Sequence, residues 1–227
     1  MELFPIGTVG ATSAGTIDAV SYNMFEPNMG CTSQPVYSTL STKFKNMSLL
    51  TRKQAEPFLV MNYGYDNIFT REFRQLQHFV DNTDDALTSF YAVDWSRGQK
   101  PSAISGGAWA TNNAFTVGNS RFYSATTNMK SNYIFMWSGT SFKIGLVSAV
   151  GSITSITANF TTTARGNLTF VLASSSSLIY PIYQVYLNEN SLSNFKTTEY
   201  IDENINLTED GGFMYTGTVD FVSKYKV

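Results

Sequence analysis

This sequence predicts a mainly β protein with a single amphipathic helix, on three observations. Short runs of β-branched and aromatic residues, separated by Gly, Ser and Asn, recur along its 227 residues. One window alone, over residues 67–81, spaces its apolar residues as a helix does. Apolar residues make up 43% of the chain and aromatic residues 15%, enough to fill the core of one large β domain or of two small ones.

Taken in order, Gly7 to Gly15 is small and glycine-rich and predicts an arm or an edge strand, followed by a first regular strand at Ile17 to Met24. Glu26-Pro27-Asn28-Met29-Gly30 is turn chemistry, and Val36 to Leu50 alternates as one or two strands. In the next run Phe58, Val60 and Asn62 face one way and Leu59, Met61 and Tyr63 the other. Both sets hold apolar residues, so this strand is predicted to be largely buried. Gly64-Tyr65-Asp66-Asn67 reads as a turn into the helix. There Phe69, Phe73, Leu76 and Val80 fall on one face with Phe79 beside them, and Arg71, Glu72, Arg74, Gln75 and Gln77 on the other side. Thr70 is the expected N-cap. Asp81-Asn82-Thr83-Asp84-Asp85 closes the helix, and Ser89 to Trp95 resumes as a strand.

From Gly98 to Ser131, Lys100-Pro101, Gly106-Gly107, Asn112-Asn113 and Gly118-Asn119 interrupt short aromatic patches at Trp109, Phe115, Phe122 and Tyr123. Such a long insertion of short strands and loops is expected to work at an interface. Strands are then predicted at Tyr133 to Trp137, Ser141 to Val147, Ser152 to Phe160, Asn167 to Ala173 and Ile179 to Leu187. The third of these mixes apolar and polar residues on both faces, which fits a sheet edge or a subunit contact. Glu209-Asp210-Gly211-Gly212 forms a turn. Phe213 to Val222 follows as a last strand, with Met214, Thr216, Thr218, Asp220 and Val222 on one face and Phe213, Tyr215, Gly217, Val219 and Phe221 on the other.

One stretch carries a resemblance. Phe58 to Met61 on a strand, a short turn, Glu72, Phe73, Leu76 and Phe79 in the pattern Glu-Phe-x-x-Leu-x-x-Phe, and then Phe90 to Trp95 as Phe-Tyr-x-Val-Asp-Trp, resemble the N-terminal region of tailed-bacteriophage minor tail and distal tail proteins. Pro35 to Phe44 resembles the strand that precedes it in that family, and Gly211 to Val219 resembles a closing tail-protein strand. The likeness spans roughly the first two fifths of the chain. It departs from the family where a long polar stretch, Arg97 to Ser131, replaces a short link. The resemblance implies a tail-tube-like β-sandwich unit over residues 1–97 with the helix at 67–81, a long insertion loop at 98–131, and a β-rich half at 132–227 that completes the sandwich or forms a second β domain. It also implies a structural virion protein, a tail or tail-adaptor subunit forming a ring or tube by intersubunit β contacts. Its partners would be copies of itself and neighbouring tail or head-tail connector proteins, in a virion tail assembled in the host cytoplasm.

Composition agrees with a building role. Only 14% of residues are charged, against roughly a quarter usually, so Ser, Thr, Asn and Gly must cover much of a surface suited to packing on neighbours. Net charge is −2, and the densest basic group, Lys43, Lys45, Arg52 and Lys53, is spread along an extended segment and reads as a solvated strand and loop. Sequence-specific nucleic-acid binding is therefore not expected. No window approaches the roughly 18 apolar residues of a membrane helix, so membrane insertion is not expected, and the first ten residues lack the pattern of a secretory signal. The single cysteine, Cys31, forbids an internal disulfide, which fits assembly in a reducing cytoplasm or simply no reliance on bridges. The sequons at Asn46, Asn159, Asn167 and Asn206 are what so much Asn, Ser and Thr produces by chance.

For catalysis the residue inventory is thin. His78 is the only histidine, so a multi-histidine metal site cannot be assembled, and it reads as a helix-flank residue. Cys31 sits in no recognisable nucleophile motif and reads as an inert thiol. Asp81, Asp84 and Asp85, Asp202 with Glu203, and Glu209 with Asp210 lack calcium-loop spacing. Gly7 to Gly15 and Ser105-Gly106-Gly107 lack the setting of a phosphate cradle. No catalytic, cofactor or metal residue is assigned, and an enzyme is not expected. Trp95, Trp109 and Trp137 are candidates for interface anchors, with core packing as the competing role. The alternative function is a carbohydrate- or receptor-binding β-sandwich module, in which exposed Trp and Tyr would stack on sugar rings.

Overall fold

The computed structural model describes residues 1–9, 14–37, 39–43, 49–53, 58–83, 88–105, 112–117, 133–137, 142–152, 155–159, 178–188, 191–199 and 213–226. Among the described residues eight strands precede the helix: β1 (Glu2–Leu3), β2 (Gly7–Val9), β3 (Ala14–Ile17), β4 (Val20–Asn23), β5 (Gly30–Val36), β6 (Thr39–Lys43), β7 (Leu49–Lys53) and β8 (Phe58–Phe69). The helix is α1 (Thr70–Asn82). After it come β9 (Phe90–Val93), a 3-10 turn at Trp95–Arg97, β10 (Pro101–Ser105), β11 (Asn112–Val117), β12 (Tyr133–Trp137), β13 (Phe142–Ser152), β14 (Ser155–Asn159), β15 (Leu178–Leu187), β16 (Lys196–Glu199) and β17 (Phe213–Lys226). The protein is thus mainly β with one helix among the described residues.

β8 is the spine of the sheet. It pairs antiparallel with β5 on one edge and with β17 on the other. The far edge of β17 is divided between β16, opposite Phe213 to Thr216, and β15, opposite Phe221 to Ser223. β15 is divided in the same way. Ile182 pairs with both Tyr133 and Val93, and Val185 with both Ser223 and Phe90, so β12 and β17 share one edge of β15 while β9 holds the other. Beyond β9 the sheet continues through β1, in parallel, to β2, β3 and β4; beyond β12 it runs through β13, β14 and β11 to β10.

Leu59, Met61, Tyr63 and Tyr65 of β8 are buried, whereas Val60 and Asn62 are half-buried and Phe58 is exposed. The strand therefore has one core face, not the two expected. Nor does it turn at Gly64 to Asn67. The chain stays extended to Phe69, with a bulge: Tyr65 pairs with Gly217 but Ile68 with Tyr215, so β8 spends an extra residue there. Asn67 takes φ +51°, a left-handed conformation that Asn adopts more readily than most residues. Its amide receives no ladder partner and donates to Thr216 Oγ1 at 3.1 Å, while the Asp66 amide donates to Asn28 Oδ1 at 2.7 Å. The extra residue reverses the alternation, so that Ile68, an even position, points into the core after four odd ones.

The helix accordingly starts at Thr70 and not at residue 67, and it ends at Asn82. Thr70 is its first residue and not its cap. Phe69 occupies the N-cap position without a side-chain bond, and the Thr70 hydroxyl donates to the Phe213 carbonyl at 3.2 Å. Thr83 closes the helix, its amide and hydroxyl both donating to the Val80 carbonyl. Leu76, Phe79 and Val80 are buried as expected, Phe73 stacks on Tyr215 at 4.0 Å, and Phe69 is exposed because it belongs to the strand. Gln75, expected on the polar side, is buried. Its Nε2 donates to the Pro5 carbonyl at 3.0 Å and the Asn23 carbonyl at 3.1 Å, tying the helix to the first segments of the chain.

Phe4, Tyr63, Phe79, Phe90 and Phe221 form the centre of the core, with ring centroids from 4.7 to 6.1 Å apart. The Tyr63 hydroxyl donates to the Val93 carbonyl although β8 and β9 are separated by β17 and β15 in the sheet. The sheet must curl to bring them together, and α1 packs into the opening. A second cluster, Phe135, Trp137, Phe142, Ile144, Tyr180 and Ile182 with Leu3 and Ile6, fills the space beside β12 and β13.

Elsewhere β14 lies between β11 and β13, so the strand expected at a sheet edge has both backbone edges taken. Residues 14–23 form a hairpin, β3 with β4, turning through Asp18 and Ala19 at positive φ. Gly7, at φ +75°, packs its bare α-carbon against the carbonyl of Thr16, where any Cβ would collide. Within 98–131 the described residues include β10 and β11, paired with each other. Trp109, Phe122 and Tyr123 lie outside the described residues, as does the strand expected at Asn167 to Ala173. Among the described residues no helix is long and apolar enough to cross a membrane.

Candidate assembly surfaces

Val36 of β5 lies opposite Phe58 of β8, so the chain leaves and re-enters the main sheet at one place. Between them β6 and β7 pair from Thr39 opposite Lys53 to Lys43 opposite Leu49, and they hydrogen-bond to no other strand among the described residues. The result is a separate two-stranded arm that lies between β5 and β8 in sequence. Residues 37–55 hold Lys43, Lys45, Arg52 and Lys53 and no carboxylate. A lone two-stranded hairpin is marginally stable in water. Val36, Tyr37 and Phe58 are exposed at its root. Along the main sheet β5 has no second neighbour among the described residues, and Pro35 interrupts the donors of that edge.

A second surface lies past the other end of β8. A cleft of about 450 Å³ opens between β4 and the first turns of α1, lined by Val20, Ser21, Asn23, Arg71, Glu72 and Gln75 among others. β4 pairs with β3 alone among the described residues, so its outer edge borders the cleft, and only the Asn23 carbonyl on it is taken up by Gln75. Glu72 is 22% exposed; its Oε1 is 3.5 Å from Arg71, itself 81% exposed, while its buried Oε2 accepts no hydrogen bond. An acceptor left so costs about 1–3 kcal/mol, more when charged. Phe69 and Phe213 are exposed at the same end of the sheet.

Beside this cleft His78 joins the helix to the β3–β4 hairpin. Its Nδ1 is 2.8 Å from the Tyr22 hydroxyl and its Nε2 is 3.0 Å from Asp18 Oδ2. In the neutral ring, Tyr22 donates to Nδ1 and Nε2–H donates to Asp18. An Asp-His-hydroxyl line of this kind is the geometry of a proton relay, and here its two outer members come from one hairpin, so it also clamps that hairpin to α1. Sequence reading placed His78 on the helix flank but could not supply Asp18 or Tyr22, which are 60 and 56 residues away.

A buried polar knot sits under β5. The side chain of Asp94 is fully buried, and its Oδ1 accepts from the Ser96 amide at 3.2 Å and hydroxyl at 2.6 Å. Arg97 Nε is 3.2 Å from Asp94 Oδ2. Its N–H, however, is directed at Ser33 Oγ, also at 3.2 Å, so Oδ2 takes the ion pair without a hydrogen bond of its own. Arg97 also donates to the Tyr183 hydroxyl at 3.4 Å. The knot fastens edge strand β5 to the corner after β9. Cys31 lies next to it, and burial, with the Asp94 carboxylate adding to it, pushes the thiol up from its usual 9.0 to about 12 despite nearby amides of Ser96 and Trp95. At neutral pH this is a protonated, poorly nucleophilic sulfur.

Trp95 packs edge-on against Phe135, Trp137 and Tyr180, and Trp137 is buried, so both serve the core. Asp81 is exposed at the helix end, and Asp84, Asp85, Asp202, Glu203, Glu209 and Asp210 lie outside the described residues. No group of three metal-ligating side chains is found among the described residues. Sequence reading named Glu72 and Asp94 only as parts of the resemblance and set Gln75 on the polar side of the helix; for the buried bonds of Asp94 only its Asp-x-Ser spacing with Ser96, a local capping pattern, was there to be read. No protein-family model and no curated protein matches the chain.

Proposed function

We propose that this chain is a structural virion protein of a tailed bacteriophage, a tail or tail-adaptor subunit that builds a ring or tube through intersubunit β contacts. The arm formed by β6 and β7 carries the assembly part of this reading. It is a strand pair that finds no neighbour among the described strands of its own chain, belongs to a segment with four cations and no carboxylate, and is flanked in sequence by exposed apolar residues. Such an arm is stabilised when another subunit covers it. The tail assignment rests on the resemblance of Phe58 to Met61, Glu72 to Phe79 and Phe90 to Trp95 to tail proteins. A sugar-binding module is disfavoured by the packing of Trp95 and Trp137 in the core.

The test is assembly state. Sedimentation of the purified chain is expected to show closed multimers, and replacing residues 38–56 by Asn-Gly, a favoured hairpin turn, is expected to leave folded monomers. A wild-type chain that stays monomeric up to its solubility limit refutes the assembly reading. Failure to find the chain in purified phage tails refutes the tail assignment.

A further inference from the structure

The exposed face of α1 carries charges that its own chain does not pair. Arg74, Gln77 and Asp81 are exposed and His78 is half-buried beside them, on the side of the helix away from Leu76, Phe79 and Val80. Arg74 and Asp81 make no ion pair or side-chain hydrogen bond among the described residues. They stand two turns apart, roughly 10 Å along the axis, beyond the spacing of three or four residues at which helix neighbours pair. Their placement also opposes the helix itself. Its last turn holds an acid, Asp81, and no base, although the carbonyl end of a helix favours cations. Both of its arginines, Arg71 and Arg74, lie toward the amide end, which favours anions.

The folding of one chain does not account for this pattern, and the pairing of two does. Arg74 and Asp81 lie equally far in sequence from the point between Gln77 and His78. A two-fold axis at that point sets two α1 helices antiparallel, with Arg74 of each opposite Asp81 of the other. The acid at each carbonyl end then meets a cation, which its own helix does not supply.

We infer that the exposed face of α1 is a two-fold contact between copies of this chain, fixed in register by reciprocal pairs of Arg74 with Asp81. Such a contact is isologous, so it joins copies in twos and does not propagate by itself. A helix of 13 residues offers a patch below the standard interface size, and exposed ion pairs are individually weak. The contact therefore sets orientation more than affinity, and it fills when copies are concentrated or are held close by other contacts. It goes beyond the assembly reading, because it uses no residue of the arm.

Cross-linking of the full chain tests it. In a Cys31→Ala background, Gln77→Cys puts a thiol beside the axis, and a short bis-maleimide is expected to link copies in twos. Arg74→Asp and Asp81→Arg are each expected to lower the yield about tenfold, since each turns two attractions into repulsions. The double variant carries the same pairs exchanged and is expected to restore it. Salt at about 1 M, which screens charges beyond roughly 3 Å, is expected to suppress it too. Both reversals suit the helix dipole, so every variant is expected to melt no lower than the wild type in dilute solution. Loss of contact is thereby kept distinct from loss of fold. Multimers that form without a cross-link at Gln77→Cys, or with one that neither reversal alters, overturn the helix contact and leave the assembly reading intact. A chain that stays monomeric when dilute yet cross-links at millimolar concentration, with the expected response to charge, supports the helix contact alone. A chain that does neither removes both.

Discussion

Replacing Gln75 by Leu would test whether α1 is held by polar as well as apolar contacts. Leu keeps nearly the same volume and favours the helix as well as Gln does, so the main loss is of the two bonds from Nε2 to the carbonyls of Pro5 and Asn23. The Pro5 bond is buried and the Asn23 bond only partly so. A stranded buried carbonyl costs ~1–3 kcal/mol, and one that water can reach costs less. Allowing about 1 kcal/mol back for the apolar side chain, the net destabilisation is about 1–3 kcal/mol. For a chain of this size that is a fall in melting temperature of roughly 2–12 °C. Gln77→Leu, on the exposed face, is the control and should change stability by less than ~0.5 kcal/mol. Urea and thermal unfolding of both variants provide the measurement. A Gln75→Leu protein as stable as the wild type, or no less stable than Gln77→Leu, would show that these two bonds do not hold the N-terminal segments to the helix.

Phe221→Ala removes a buried ring that lies 4.7 Å from Tyr63 and 4.9 Å from Phe4, and chemical denaturation should show a loss of ~3–5 kcal/mol; a loss below about 1 kcal/mol would contradict the packing. At high pH the fold should fail. Cys31, Tyr180 and Tyr183 are raised to about 12 and Tyr63 and Tyr65 are raised well above 10.0. The unfolded chain thus sheds protons from about pH 9 that the folded chain retains, and stability falls as pH climbs from there toward 12, by ~1.4 kcal/mol per pH unit for each deeply buried group in its window. The tyrosinate absorbance of these four tyrosines should appear only with unfolding; complete titration of all tyrosines near pH 10 with the fold intact would be inconsistent with this. His78→Ala should free the Asp18 turn, seen as faster amide exchange across β3 and β4, while global stability changes by less than about 2 kcal/mol; unchanged exchange there would mean the clamp carries no load.

The alternation of β17 and the Leu76, Phe79 and Val80 face of α1 are legible in the sequence because each depends on a periodicity internal to one segment, whereas β8, apolar on both faces, does not show which face meets the core. What stays hidden depends on other segments. The bulge at Asn67 is held by Asn28 and Thr216, 39 and 149 residues away, and without it Gly64 to Asn67 looks like an ordinary turn. Gln75 sits among polar neighbours and is buried only because the carbonyls of Pro5 and Asn23 come to it. The mixed faces of β14 suggest an edge, yet pairing is decided by backbone contacts that composition does not record. The strands at 39–43 and 49–53 can be anticipated; that they pair only with each other among the described strands cannot. The cleft beside β4 leaves no local pattern, since its walls come from residues 20–25 and 71–75.

The position of β17 has a consequence for the timing of folding. This strand, drawn from residues 213–226, lies between β8 and β15 and not at a margin, and Leu59 donates its amide to Ser223, 164 residues later. During synthesis β8 must therefore wait with one hydrogen-bonding edge uncovered until that distant segment arrives. Pairing over such a span is entropically slow, and exposed edges in the interval invite association with the wrong neighbour. The core of the sheet is therefore closed last by its most C-terminal strand, and no earlier stretch of the chain can complete it without β17 in its middle.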